Sequence, residues 1–539
     1  MAATNWVVLL LTHPLEFKTL LQFWLYYEQK RDIKAIQEHP TSGWDRQSMQ
    51  RCWAFLDLTS RSFAAVIKEL EGDLARTICL FYLVLRGLDT VEDDMTIPDA
   101  VKQPILRQFH VHTITPGWKF DGCGPNEKDR QLLVEYDVVV EELNRLPAHY
   151  REVIVDICYK MENGMADFAH KAASTGSIYL ERIEDYDLYC HYVAGLVGEG
   201  LSRIFSASGK EAAWIGSQLE LSNSMGLLLQ KTNIIRDYRE DTDDQRFFWP
   251  REIWGRYGFE EMKEMYQPGN EQRAQWVQSH MVVDALRHAV DALDYLRFLK
   301  NQTVFNFCAI PATMAIATLE LCFMNPTMFQ RNIKIRKAEA ASLIMRSTNP
   351  REVGLIFRSY ARRIHNKAVP TDPNFLRLSV ALSKIEQWFE HNYPSFVRIV
   401  EGADGKARAE VDEYDARGRI LNAQNARDAA LLQKGKVEDL KNGIAQREVK
   451  VNGSGNGING EGEVRREGRG MEETSVKEVA MYLGAAMAVM VLFSGVVIYL
   501  VIHLSGETVP GYHPAGAMER ISKVIENLGT GVAEGRGEL

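Results

Sequence analysis

The feature that most limits the fold of this chain is an almost unbroken helical periodicity. From Asp45 to Val400, apolar residues recur at spacings of three and four, and strand-like alternation is nearly absent. These spacings place apolar side chains on one face of an α-helix. The longest such segments are Pro147–Ala173, Tyr186–Ser206, Ala213–Glu240 and Gln272–Leu299. The sequence therefore predicts an all-α domain over residues 1–400.

The composition changes after residue 400. Residues 401–478 are rich in charge, Gly and Asn and poor in aromatic residues, which is typical of a flexible linker. Gly455, Gly457 and Gly460 in this stretch match a G-x-G-x-x-G pattern. No strand pattern precedes it and no helix pattern follows it, so the match does not indicate a dinucleotide-binding fold.

A long uncharged segment near the C-terminus predicts a membrane anchor. Residues 479–506 contain no Asp, Glu, Lys or Arg. As a helix they would extend about 42 Å, against about 30 Å for the hydrocarbon core of a bilayer. We predict a transmembrane helix at 479–504 and a tail at 505–539. Lys and Arg are more frequent just before this helix than just after it, which favours a single-pass topology with the large domain in the cytosol.

Charge and cysteine usage exclude other classes of function. The net charge of -9 argues against binding to nucleic acid through phosphate contacts. The seven cysteines are scattered and lack C-x-x-C spacing, so neither a disulfide framework nor a zinc site is predicted. This pattern fits a reducing compartment. The first 12 residues lack the basic region and cleavage site of a signal peptide.

Two groups of carboxylates stand out within the helical region. Asp89, Glu92 and Asp93 have i, i+3, i+4 spacing, so their side chains leave one face of a helix. In the second group, Asp237 and Asp241 follow Gln230 and Asn233, and all four fall within an arc of about 80°.

Like charges at i, i+4 destabilise a helix by about 0.2–0.5 kcal/mol per pair, so two such clusters need a compensating cation. Carboxylates with few His or Cys residues nearby suit Mg²⁺, which binds through carboxylates together with substrate phosphates. The alternative is a pair of exposed acidic patches. The spacing favours facing helices that hold Mg²⁺ against a diphosphate leaving group, as in the ionisation of an allylic diphosphate. The predicted metal ligands are Asp89, Glu92, Asp93, Asp237 and Asp241.

Five segments in order carry a resemblance to a known family. They are Ser60–Phe63, Asp89–Asp93, Tyr189–Gly198, Asn233–Asp241 and Val304–Pro311. With them the chain resembles the squalene/phytoene synthase family of head-to-head trans-prenyl transferases, and within it the fungal squalene synthases with long C-terminal tails. The resemblance implies a single-domain, isoprenoid-synthase-type helical bundle around a central cavity, in addition to the C-terminal transmembrane helix.

The resemblance also implies the reaction. Two farnesyl diphosphates condense to presqualene diphosphate, which loses its diphosphate, rearranges and takes a hydride from NADPH to give squalene for sterol biosynthesis. The cofactors implied are Mg²⁺ and NADPH. The family further implies a monomer in the endoplasmic reticulum membrane, with lipid as a partner of the C-terminal helix only.

The family's functional residues map onto matching positions of this sequence. Tyr189 matches a tyrosine that moves a proton during cyclopropane formation, and Phe305 and Phe307 match rings that face carbocations. The positions implied to bind NADPH or diphosphate are Arg61, Arg86, Arg236, Lys334 and Arg336. The positions implied to bind substrate are Ser62, Phe63, Gln230 and Asn233.

Without the family, several of these residues have ordinary explanations. Tyr189, Phe305 and Phe307 could be core residues, and the segment from Lys334 to Arg336 could be an exposed charge run. Two other functions are considered: a phytoene-synthase-like enzyme that stops before reduction, and a catalytically silent, membrane-anchored scaffold.

Overall fold

The computed structural model describes residues 9–441, apart from 11, 27–32, 38, 176–177, 402–406 and 413. The greater part of the predicted linker, the transmembrane helix at 479–504 and the tail at 505–539 lie outside the described residues. The described residues up to Asp428 belong to one compact unit.

The described residues are mostly helical, which confirms the predicted fold class at that level. The α-helices are α1 (Pro14–Tyr26), α2 (Gln47–Thr59), α3 (Arg61–Lys68), α4 (Leu74–Asp93), α5 (Asp99–Leu106), α6 (Phe109–His112), α7 (Arg130–Val134), α8 (Asp137–Asn144), α9 (Ala148–Thr175), α10 (Ile183–Cys190), α11 (Leu196–Ala207), α12 (Leu219–Arg236), α13 (Tyr238–Asp243), α14 (Arg251–Trp254), α15 (Glu271–Leu286), α16 (Ala289–Phe298), α17 (Gln302–Cys322), α18 (Lys337–Arg346), α19 (Pro350–Lys367), α20 (Phe375–Asn392) and α21 (Ala416–Lys441). A π-helical turn, His191–Gly195, joins α10 to α11, and 3₁₀ turns lie at Ala213–Ser217, Gly255–Tyr257, Met262–Tyr266 and Pro326–Phe329.

Four short strands form two separate two-stranded sheets within the described part of the chain. Strand β1 (Ile178–Tyr179) pairs in parallel with β2 (Arg246–Phe247), with Ile178 opposite Arg246. Strand β3 (Val397–Glu401) pairs antiparallel with β4 (Ala407–Val411). The predicted domain boundary at residue 400 therefore falls inside a β-hairpin.

The helices that carry the two carboxylate clusters are central elements. Helix α4 packs against α2 and α9, and α12 packs against α16, α17 and the π-helical turn. Gly226 allows the last of these contacts, because a Cβ atom at that position would lie 2.4 Å from the carbonyl oxygen of Ala194. A side chain there would push α12 away from the turn that follows Tyr189.

The apolar sequence of helix α17 lies in the interior of the domain. Among the described helices it alone is long and apolar enough to cross a membrane, with a mean hydropathy of 1.6. Of its most apolar window, 72% is buried, as in the core helix of a globular domain. The helix begins at Asn301, whose side chain accepts hydrogen bonds from the backbone N–H groups of Thr303 and Val304.

All seven cysteines lie in the described part of the chain, and each is a buried free thiol. No disulfide is formed among them, as the sequence predicts.

Candidate active site

The first carboxylate cluster lies at the C-terminal end of α4. Fifteen buried residues fix this helix in the core, and Glu92 is among them. Asp89 and Asp93 leave the same end of the helix with partial exposure. The C-terminal end of a helix carries partial negative charge, and no basic residue occupies the last turn of α4. The end of α4 therefore disfavours the charged form of these three carboxylates unless other elements supply cations.

The second cluster lies at the junction of α12 and α13. The sequence predicts one helix over Ala213–Glu240, but the structure ends α12 at Arg236 and begins α13 at Tyr238. Asp237 occupies the junction itself. Its backbone N–H still donates to Asn233, at 2.8 Å, and its carbonyl accepts from Asp241, at 2.9 Å. The helical spacing between Asn233, Asp237 and Asp241 therefore survives the break.

Arg246 joins the two clusters. Its Nη1 atom donates to Asp93 Oδ1 at 3.2 Å, and its Nη2 atom lies 3.1 Å from Asp241 Oδ1. A third carboxylate, Asp244, lies 3.4 Å from Nη2. The structure thus brings the carboxylates of α4 and α13 to opposite sides of one guanidinium group.

Three carboxylates of the site have raised pKa values. Burial raises the pKa of Asp89 to about 7; Arg86 opposes this shift, and Asp93 and Asp129 add to it. Burial likewise raises the pKa of Asp241 to about 7, although Arg246 opposes the shift. The pKa of Glu92 is also raised by burial and by its acidic neighbours.

Two predicted basic residues face these carboxylates. Arg86 lies 3.7 Å from Asp89 and 3.8 Å from Asp129, and its Nε atom donates to the hydroxyl of Tyr82. Arg236 donates from Nε to Asp237 Oδ1 at 2.8 Å. Both guanidinium groups are therefore placed where they could contact an anion held by the clusters.

The other predicted phosphate-binding residues are placed differently. Arg336, with 62% of its side chain exposed, forms an ion pair with Glu16 of α1, and Lys334 is exposed beside it. The side chains of Arg61 and Ser62 lie outside the described part of the structure. Phe63, on the same helix, is 40% exposed.

Tyr189 lies close to the acidic site. Its ring stacks on Phe248 at 4.9 Å between centroids and meets the edge of Phe168 at 5.3 Å. Burial raises the pKa of its hydroxyl, and the nearby Glu92 and Asp93 raise it further. Tyr189 is therefore a neutral phenol at physiological pH. The π-helical turn begins two residues later, at His191, and such turns are often found at functional sites.

Two predicted aromatic residues are buried in α17. Phe305 and Phe307 are both enclosed, and Phe307 meets the ring of Phe205 edge to face at 6.0 Å. Gln230 is half-buried on α12, and Asn233 is exposed one turn later.

Sequence reasoning missed two residues of the site. Arg246 lies in a two-residue strand that has no detectable periodicity, five positions after Asp241. Asn332 lies in a loop, and its Nδ2 atom donates to Asp237 at 2.8 Å and to Glu240 at 3.0 Å. Its Oδ1 atom is buried without a hydrogen-bond partner among the described residues. Arg246 lies five positions after Asp241, and Asn332 lies two positions before Lys334. Their nearness in sequence to predicted site residues is the signal that could have identified them.

The donor atoms suit a hard cation, although the site is not closed around one. Within the described residues, no three His, Cys, Asp or Glu side chains converge as a ready metal centre. The ligands available are carboxylate oxygens, and Glu92 and Asp241 are buried among them. This donor chemistry fits Mg²⁺, provided that the carboxylates now held by Arg246 are released.

Comparison with known proteins identifies related sequences. The family described as squalene/phytoene synthase matches residues 56–339. The chain is 63% identical to the squalene synthase of Ganoderma lucidum over 461 residues, which cover 84% of this chain and 98% of that protein. It is 52% identical to the squalene synthase of Schizosaccharomyces pombe over 364 residues, 67% of this chain and 79% of that protein.

A solved structure agrees with the sequence matches. It is described as the complex structure of TcSQS with the ligand E5700. It superposes with a TM-score of 0.61 at 39% identity, over 64% of this chain and 99% of that chain. Every predicted site residue falls within the segment matched by the family.

Proposed function

Because this chain belongs to the squalene/phytoene synthase family, as a squalene synthase of the fungal type acting in sterol biosynthesis, we propose how its residues divide the reaction. In the first step two farnesyl diphosphates condense to presqualene diphosphate, with loss of one diphosphate and one proton. In the second step presqualene diphosphate loses its diphosphate, rearranges and accepts a hydride from NADPH to give squalene. The observation that carries the assignment of residues is the approach of the α4 and α13 carboxylates to a single guanidinium group.

The five carboxylates would hold Mg²⁺, and the bound metal would bind the diphosphate. Asp89, Glu92 and Asp93 act from α4, and Asp237 and Asp241 act from the α12–α13 junction. Bound Mg²⁺ would neutralise the charge that develops on the departing diphosphate. Two supports are the oxygen-only donor set and the raised pKa values of Asp89 and Asp241, since burial makes the charged form of each carboxylate costly unless a cation binds it.

Arg86 and Arg236 bind diphosphate oxygens. Each is paired with a carboxylate of the site and is held within the same small region. A guanidinium group presents parallel N–H donors that match phosphate geometry. Gln230 and Asn233, on the preceding turns of α12, orient the same group.

Tyr189 handles a proton of the first step. Since the pKa of its hydroxyl is raised, it enters the reaction as a neutral phenol. It can pass its proton to a diphosphate oxygen and take up the proton lost when the cyclopropane ring closes, which leaves it unchanged. Phe305 and Phe307 supply buried ring faces that favour carbocations over water.

Arg61, Lys334 and Arg336 would hold NADPH through its phosphates. Bound NADPH would supply the hydride of the second step. The exposed position of Lys334 and Arg336 leaves them accessible to a large cofactor, and Arg336 already binds one anionic group, the carboxylate of Glu16. Ser62 and Phe63 lie beside Arg61 and contact the prenyl substrate.

The membrane assignment is part of the same proposal. Residues 479–504 anchor a monomer in the endoplasmic reticulum with residues 1–400 in the cytosol. The uncharged length of the segment supports it, and so does the chemistry of the product, a hydrocarbon that partitions into lipid. Protease protection of isolated microsomes tests the topology; recovery of the protein in mitochondria would contradict it.

Product analysis separates the two family reactions. The full chain in detergent is incubated with farnesyl diphosphate and MgCl₂, with and without NADPH, and lipids are separated by chromatography. Squalene is expected with NADPH and presqualene diphosphate without it. An unreduced, phytoene-like hydrocarbon in the presence of NADPH would show that the chain stops before reduction.

A further inference from the structure

Arg246 is held in place by the backbone on both sides. Its own strand, β2, pairs with β1, and the preceding Gln245 adopts a left-handed conformation with φ of 60°. On the other side, two residues after Arg246, Phe248 stacks on Tyr189. Non-glycine residues rarely adopt positive φ, so the chain enters β2 in a strained conformation that the surrounding contacts maintain.

The guanidinium of Arg246 is the link between two elements that otherwise repel. It contacts Asp93 of α4 and Asp241 of α13, which are 148 positions apart in the sequence. Its side chain is about three-quarters buried, so solvent screens these contacts only in part. The Nε atom is buried and has no hydrogen-bond partner in the described part of the chain, so the group uses only its two terminal nitrogens.

The carboxylate oxygens that contact Arg246 belong to residues assigned above to the metal. The guanidinium and a divalent cation therefore compete for Asp93 and Asp241. Two ligands that bind the same groups exclusively weaken each other by a reciprocal free energy.

We propose that Arg246 is a positioning residue that acts as the counter-ion of the two acidic helices in the metal-free chain and releases their carboxylates when Mg²⁺ binds. The proposal rests on the proposed function, in that Asp93 and Asp241 are taken as metal ligands. Arg246 keeps α4 and α13 at a fixed separation before metal enters, so the ligands are already arranged when Mg²⁺ arrives.

The test compares the thermal stability of the metal-free and metal-bound states. Arg246→Gln removes the charge but keeps amide donors, and Arg246→Lys keeps the charge. Each full-length variant in detergent is unfolded by heat with EDTA, and then across a titration of MgCl₂ with inorganic diphosphate. Arg239→Gln is the matched control, because Arg239 lies on α13 and pairs with the exposed Asp243, at 2.9 Å, without spanning the two clusters.

Arg246→Gln should lower the Tm of the metal-free chain by about 2–4 °C. The rise in Tm produced by Mg²⁺ and diphosphate should exceed that of the wild type, since metal replaces the missing charge. Arg246→Lys should lie between the two, and Arg239→Gln should follow the wild type. Circular dichroism at low temperature verifies that each variant is folded; if Arg246→Gln is not, Arg246→Lys provides the comparison.

Two failures can be told apart. If the wild type gains stability with Mg²⁺ and diphosphate, and both Arg246 variants match it in each state, Arg246 is not the counter-ion while the metal assignment survives. If the wild type gains no stability with Mg²⁺ and diphosphate, both the metal assignment and the role of Arg246 are wrong.

Discussion

At the scale of single residues, the two carboxylate clusters differ in how far the fold already satisfies them. Asp89 lies 3.7 Å from Arg86, beyond hydrogen-bond distance. Asp237 accepts hydrogen bonds at 2.8 Å from both Arg236 and Asn332. Residues with equal predicted roles in catalysis therefore have unequal roles in stability.

Asp89→Asn and Asp237→Asn should each reduce the first condensation by at least about 100-fold, since even changes to groups that merely support metal ligands cost about 10- to 100-fold. The two variants should differ in their free energy of unfolding. Asp89→Asn relieves repulsion from Asp93 and should be neutral or stabilising. Asp237→Asn leaves only one acceptor oxygen for the donors of Arg236 and Asn332. The free energy of unfolding should therefore fall by about 1–3 kcal/mol. Product formation across a Mg²⁺ titration and thermal unfolding measure the two effects; near-normal activity in both variants would contradict the metal assignment.

Asp241 gives a prediction for pH. Its folded-state pKa of about 7 exceeds the value near 3.9 expected in the unfolded chain. A carboxyl group with a raised pKa stabilises the fold while protonated, so its contribution is complete below about pH 4 and is lost as the pH rises through 7. The Tm of the metal-free chain should therefore fall less steeply between pH 5 and 8 in Asp241→Asn than in the wild type. Asp243→Asn, on the exposed side of the same helix, is the control, and parallel curves for all three proteins would refute the prediction.

At the scale of elements, periodicity predicts helices well and their junctions poorly. The five carboxylates could be found because i, i+4 spacing is a local property of the sequence. The break between α12 and α13 at Asp237 could not be found, because the backbone hydrogen bonds of Asp237 to Asn233 and Asp241 preserve that spacing across it. Arg246 could not be found either, since a two-residue strand has no period and its partner Asp93 lies 153 positions away.

Two of the residues proposed to bind NADPH, Lys334 and Arg336, lie near helix α1, because Arg336 pairs with Glu16 of that helix. Replacing both Lys334 and Arg336 with Ala should lower squalene formation about 10-fold or more, since each bond to a charged group is worth about 1.5–3 kcal/mol. Presqualene diphosphate should accumulate, because the first step needs no hydride. Both products are measured by chromatography of the same reaction.

The same change also removes the ion pair between Arg336 and Glu16. Glu16→Gln is therefore the control, since it breaks that pair and leaves Arg336 in place. Squalene formation should be retained in Glu16→Gln. An equal loss in both variants would mean that the packing of α1, and not cofactor binding, explains the effect.

At the scale of the whole molecule, the sequence predicts a helical catalytic domain that ends at residue 400. The change in composition lies near residue 400, but β3 requires β4 as its partner and the compact unit continues to Asp428. Composition reports which residues can form a core. It does not report two short strands, with apolar and charged residues mixed, that pair beyond α20.

This boundary can be tested with two truncations. A chain that ends after Lys441 should remain active without detergent, because it lacks the predicted anchor and keeps the hairpin. A chain that ends after Val400 should have a lower Tm, since β3 loses the five residues that pair with it. Sedimentation, product formation and thermal unfolding are compared; equal Tm values would show that the hairpin adds no stability.

The seven buried cysteines make the native enzyme resistant to thiol chemistry and turn those thiols into sensors of opening. Burial raises the pKa of every one, to about 12 for Cys123 and Cys322, so the reactive thiolate is scarce in the folded chain. Alkylation should then proceed only as fast as each region opens. Cys123 lies in the loop before α7 and should be modified first, whereas Cys79 and Cys158 lie within the core helices α4 and α9 and should be modified last. The order in which mass spectrometry detects alkylated cysteines would thus give a map of which parts of the protein open together.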